Sequence, residues 1–79
     1  MVKVIQNTYG DIFMVTSSVT DAALNDLIQK IIKQKNLPFQ DVYVSLPLIL
    51  CQKFLNMSSN KNLNYRGMEL KKNTMMIKF

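Results

Sequence analysis

The chain has no histidine and no tryptophan, and it has one cysteine, two glycines and two prolines. Each shortage closes off a class of chemistry. Without histidine the commonest general base is missing, and the five acidic residues are scattered, with no pair in a recognisable catalytic setting. One thiol and those carboxylates cannot make a four-ligand zinc set, and one cysteine cannot make a bridge within the chain. Phosphate-binding loops need glycines in series so that backbone N–H groups can approach the anion, whereas Gly10 and Gly67 stand alone. Walker and dinucleotide motifs are therefore excluded. The expectation is a non-enzymatic chain with no cofactor, no metal site and no small-molecule substrate.

Long hydrophobic stretches are missing too. The longest apolar run, residues 46–51, is far short of the roughly 20 residues that cross a bilayer. Val4 and Ile5 run straight into Gln6, Asn7 and Thr8, which is not the pattern of a secretory signal. A cytoplasmic location, in a bacterial cell or an infected host cell, fits these features and the single thiol, with no membrane partner. Cys51 lies inside the apolar run, where a thiol is expected to be a small buried hydrophobe with a raised pKa. Abundant Lys, Asn and Ile suggest an AT-rich genome, such as that of a phage or another virus.

What is present is a short, apolar, basic chain. Its 79 residues allow a single domain, 1–79, and a chain of this size buries only about 60–65% of the surface its unfolded form exposes. With disulfides and metals set aside, association is the remaining way to make up the shortfall, and 48% hydrophobic residues can supply an adhesive face. A homo-oligomer, a protein partner or both are expected.

The net charge of +5 is uneven: residues 1–29 carry a net −2 and residues 30–79 a net +7. Nucleic acid is the alternative partner. Lys61, Tyr65, Arg66, Lys71 and Lys72 interleave a ring that can stack with cations that can neutralise phosphates. Arg66 is the sole arginine, which weakens the case for base-specific readout. Arg66-Gly67 matches the first two positions of an RNA-recognition-motif strand signature. Met68 then stands where that signature wants an aromatic, and the ββα opening departs from that fold, so no family is assigned.

Local patterns predict the elements. Residues 2–8 and 12–16 are β-branched and apolar, and the intervening Tyr9-Gly10-Asp11 holds a glycine suited to a tight reversal, so a hairpin is expected. Thr20 is the expected N-cap of a helix running to about Lys35, with Asp21 at its positive end and Val19 stapled to Leu24. Leu24, Leu27, Ile28, Ile31 and Ile32 recur at helical spacing. Asn36-Leu37-Pro38 should stop it.

Residues 41–45 are expected to form a short strand. A second helix is then expected to be capped by Ser45, with Pro47 in its first turn and Leu46, Leu50, Phe54 and Met57 on one face. Continuation of the strand through Ile49 and Leu50 competes, because so short an apolar run has no decisive period. Residues 58–62 look like a loop. Residues 64–71 and 74–79 are expected to form a hairpin turning at Lys72-Asn73, where Asn suits a left-handed position, and Gly67 suggests a bulge or a close approach. Met75 and Met76 must point to opposite sheet faces. With Met75, Ile77 and Phe79 inward, Met76 lies outside as a start for an interface.

The whole predicts an α+β fold, a small, mainly antiparallel sheet packed against two helices in the order β-β-α-(β)-α-β-β. Its expected function is that of a non-catalytic protein-interaction module that self-associates and binds a larger protein complex. The candidate binding residues are Lys61, Tyr65, Arg66, Lys71, Lys72 and Met76, and a sequence-tolerant nucleic-acid binder is the alternative.

Overall fold

The computed structural model describes residues 2–7, 10–36 and 41–79. Seven elements follow in order: β1 (Val2–Asn7), β2 (Gly10–Val15), α1 (Asp21–Lys35), β3 (Asp41–Pro47), α2 (Leu48–Asn60), β4 (Gly67–Lys71) and β5 (Thr74–Lys78). They form the expected α+β fold, with one five-stranded sheet in the order β1-β2-β3-β5-β4. Three of its four pairings are antiparallel, and β2 with β3 is parallel. That one parallel pairing follows from the chain reaching β3 through α1, because a crossover helix returns the chain in its original direction.

Helix α1 begins where the capping pattern places it. The Ala23 amide donates to the Thr20 hydroxyl at 3.1 Å, and Val19 packs against the core that contains Leu24. Leu24, Leu27, Ile28 and Ile31 are buried. The helix ends at Lys35 with Asn36 as its C-cap, while Leu37 and Pro38 of the expected stop signal lie outside the described residues.

The boundary between β3 and α2 differs from expectation. Ser45 does not cap α2. The strand continues through Leu46, which is buried, to Pro47, which is itself the N-cap. Proline has no amide hydrogen to donate to a ladder and its φ is fixed near −65°, so it suits the last strand position and the turn into a helix. The Leu48 amide then donates to the Asn73 carbonyl at 3.3 Å, tying the start of α2 to the β4–β5 turn.

The far end of α2 also corrects the sequence reading. Residues 58–60 are helical, and Ser58 is buried because its hydroxyl donates to the carbonyls of Phe54 and Leu55 inside the helix. Asn62 takes a left-handed φ of 60°. The Leu63 amide donates to the Ser58 carbonyl and the Asn62 amide to the Ser59 carbonyl, the paired bonds of a Schellman cap, with Leu63 buried beneath.

Two glycine expectations change. Gly10 does not make the first turn but opens β2, with φ 142°, and Tyr9 lies outside the described residues. A Cβ at Gly10 would collide with the Asp41 carbonyl, so glycine allows β2 and β3 to start side by side. Gly67 makes no bulge, since β4 pairs residue for residue with β5 from Gly67–Lys78 to Lys71–Thr74. Nor does another backbone press on it: a Cβ there would meet only the Lys78 Cβ, at 3.9 Å. In the β4–β5 turn the left-handed residue is Lys72, with φ 49°, rather than Asn73. The strand itself starts at Gly67 instead of residue 64, although the Arg66 amide still donates to the Lys78 carbonyl.

Both helices lie against β3, α2 also lies against β5, and the two helices touch each other. The core between helices and sheet contains Phe13, Val42, Val44, Leu46, Phe54, Ile77 and Phe79. Phe54 meets Phe79 edge to face at 5.9 Å between centroids.

Candidate interaction surface

Strand register fixes what the other face of the sheet presents. On β3, Val42, Val44 and Leu46 point to the helices, so Tyr43 and Ser45 point away. Following the ladders outward from Tyr43 gives the row Ile5, Ile12, Tyr43, Lys78, Gly67. The next row is Lys3, Met14, Ser45, Met76, Glu69. No described helix lies over these rows. Ile5 is 38% and Met14 42% exposed, and Ile12, Tyr43 and Met76 are half-buried only by their neighbours in the sheet. Water therefore meets an apolar centre on a face that most two-layer domains keep polar.

The charges on this face are sorted by position. Asp41, at the start of β3, lies 3.8 Å from the Arg66 guanidinium and 3.9 Å from the Lys78 ammonium. Lys78 also sits 5.8 Å from the Tyr43 ring centroid. These long, half-exposed pairs contribute at most about 1 kcal/mol each, so they orient side chains more than they hold the fold. Lys3 and Glu69 are exposed at opposite edges, on β1 and β4, and neither has an ion-pair partner among the described residues. On the β4 edge, Gly67 leaves a notch of about 260 Å³ bordered by Tyr43, Met68, Glu69, Met76 and Lys78.

The six residues singled out from the sequence fall in three places. Met76 lies on the open face, as the alternation of β5 requires, with Met75 packed against the core and Ile77 and Phe79 buried. Lys61 caps the end of α2, and exposed Tyr65 and Arg66 follow, leading to the Gly67 end of the C-terminal hairpin. Lys71 and Lys72 lie at its other end, four residues along β4, roughly 13 Å away. The hairpin thus divides this group instead of gathering it, and Arg66 is engaged with Asp41. Ile5, Ile12, Met14 and Tyr43 were not singled out. The signal for Ile12 and Met14 was present in the unbroken apolar run 12–15, which puts side chains on both faces of a strand.

Other concave or exposed places are less complete. A recess of about 310 Å³ between β1 and the end of α1 is lined by Val4, Asp11, Phe13, Lys30, Lys33 and Gln34. There the Gln34 amide donates to the Asp11 carboxylate at 2.7 Å, while the Gln34 side-chain oxygen is buried without a hydrogen-bond partner among the described residues. Ile49 on α2 and Leu70 on β4 are also exposed. The Cys51 thiol is half-buried on α2, and burial pushes its pKa up. Among the described residues, no three Cys, Asp or Glu side chains are grouped as metal ligands, and no helix is long and apolar enough to cross a membrane.

Comparison with known proteins gives no match: no family model, no curated protein and no solved structure matches this chain.

Proposed function

We propose that this chain is a non-catalytic protein-interaction module that self-associates and, through its sheet, occupies a surface of a larger protein complex. The observation that carries this reading is the uncovered sheet face centred on Ile12, Met14, Tyr43 and Met76. A two-layer domain of 79 residues gains from covering such a face, because each apolar side chain removed from water stabilises the assembled state. The absence of histidine and the scattered carboxylates favour a binding role over catalysis. A reducing cytoplasm, in a bacterial or infected host cell, suits the lone thiol, and the lysine- and asparagine-rich composition suits a phage or viral origin.

The test is sedimentation of the purified chain over a range of concentrations, before and after nuclease treatment. Reversible association that survives nuclease, and that Met14→Lys or Met76→Lys abolishes while the chain stays folded, supports the module. A chain that remains monomeric throughout overturns self-association. Association that disappears with nuclease transfers the role to nucleic-acid binding through the basic half.

A further inference from the structure

We propose that the open face docks on the open face of a second copy with the two-fold axis running along β3, so that Lys3 meets Glu69 of the partner subunit. This rests on the reading of the chain as a self-associating module and specifies its geometry.

Two sheets that pack face to face keep their strands within about 30° of one another, so a two-fold axis in the interface runs either along the strands or across them. The charges separate these choices. An axis across the strands lays each strand on its own copy, so Lys3 meets only β1 of the partner subunit and Glu69 only its β4, and no pair between Lys3 and Glu69 can form. An axis along β3 reverses the strand order above the sheet, so β1 covers the partner's β4. Lys3 then faces Glu69 of the partner subunit, twice per dimer, because both lie in one ladder row with Ser45 at its centre. Within one chain the two side chains stand roughly 19 Å apart, four strand spacings, and cannot pair.

The same axis matches shape. In the neighbouring row Ile5 comes over Gly67 of the partner subunit, an exposed branched side chain over the notch that the glycine leaves. Glycine inside a strand is unfavourable, and nothing within the chain requires it at position 67. Met14 comes over Met76 of the partner subunit, and Tyr43 over Tyr43 of the partner subunit at the axis. Asp41 also lies near the axis, but it brings Arg66 and Lys78 with it, so the two carboxylates meet with cations on either side. A crossing angle of about 30° shifts the edge positions by about 5 Å, within the reach of a lysine side chain. The sheet face has a projected footprint of roughly 400 Å², which places the pair at the small, reversible end of protein interfaces.

The test uses charge exchange between copies. Lys3→Glu and Glu69→Lys, measured singly by sedimentation after nuclease treatment, are each expected to weaken dimerisation by about tenfold, since each places like charges at both contacts. An equimolar mixture of the two variants is expected to recover wild-type affinity, because the mixed dimer restores opposite charges at both. In a Cys51→Ala background, a short bis-maleimide is expected to join Lys3→Cys to Glu69→Cys but neither variant to itself. All three positions carry exposed or half-exposed side chains, and circular dichroism verifies folding. Wild-type association with no effect of either charge change, no rescue on mixing, or cross-linking of Lys3→Cys to itself overturns this geometry and leaves the module reading standing. A monomeric wild type, or one whose association is lost with nuclease, overturns both.

Discussion

On its helix side the sheet buries Phe13, Val15, Val42, Val44, Leu46, Ile77 and Phe79 and leaves Val4, Met68 and Leu70 exposed only on the edge strands. On its other side Ile5, Ile12, Met14, Tyr43 and Met76 are nearly as apolar, yet nothing described covers them. The two faces are built from alternate residues of the same strands, so strand propensity does not distinguish them. What differs is the second layer. The helix side has its packing partner within the chain, and the open side has an apolar centre with lysine and glutamate at its edges, the arrangement of an interface with a core and a polar rim.

The largest expected effect compares neighbours on β5. Ile77→Ala should cost about 4 kcal/mol, because Ile77 is fully buried and its removal leaves a cavity between sheet and helices. Met76→Ala should cost only about 1 kcal/mol when measured at concentrations where the chain is monomeric. Urea unfolding of both variants, dilute and concentrated, sharpens the contrast: the cost of Met76→Ala should grow with concentration and that of Ile77→Ala should not. Equal costs at high dilution would mean that the open face is part of the folded core.

The two glycines give the next contrast. Gly10→Ala forces a Cβ onto the Asp41 carbonyl at a φ that favours glycine, and a loss of about 3 kcal/mol is expected. Gly67→Ala meets only the Lys78 Cβ at ordinary contact distance, so folding should gain about 0.5 kcal/mol from the lost flexibility of the unfolded chain. Thermal melts of dilute protein would check both. A destabilising Gly67→Ala in the monomer would remove the argument that its glycine serves the open face.

How much of this was legible in the sequence depended on whether the signal was local. The Thr20 cap, the apolar stripe of α1 and the opposite pointing of Met75 and Met76 each rest on residues within a turn or two, and they appear in the fold as expected. The start of α2 was obscured because residues 46–51 are apolar at every position and carry no period. Its end was obscured because Ser58-Ser59-Asn60 looks polar, while the satisfaction of Ser58 by carbonyls one turn back is visible only in three dimensions. The candidate site was less legible. Five residues between 61 and 72 suggested one basic patch, but β4 is extended and carries Lys71 and Lys72 to the end of the hairpin opposite Arg66, about 3.3 Å per residue. Strand order, which places Lys3 and Glu69 in one row, is a long-range property with no local trace.

A smaller effect is expected at that turn. Lys72 holds a left-handed conformation that costs a side-chain-bearing residue roughly 1 kcal/mol, so Lys72→Gly should raise stability by up to about 1 kcal/mol. The turn lies at the margin of both faces, and its relief should leave dimer affinity unchanged. If sedimentation shows association weakened by Lys72→Gly, the interface reaches farther along the hairpin than the rows centred on Tyr43 and Ser45.

The smallest effect belongs to the helix layer. Cys51 is half-buried, and burial raises its pKa by disfavouring the charged thiolate. Because the folded value lies above the unfolded one, the neutral thiol favours folding most fully at pH below the unfolded value, and that contribution is lost as pH rises through the folded value. Alkylation by iodoacetamide reports the thiolate directly. The pH midpoint of the alkylation rate should lie higher in the folded chain than in the same chain unfolded in urea, and Cys51→Ala should flatten the alkaline decline in stability. A folded midpoint at or below the unfolded one would mean that Cys51 meets water as freely as the open face does, and that the helix layer seals its side of the sheet less completely than its buried valines and leucines indicate.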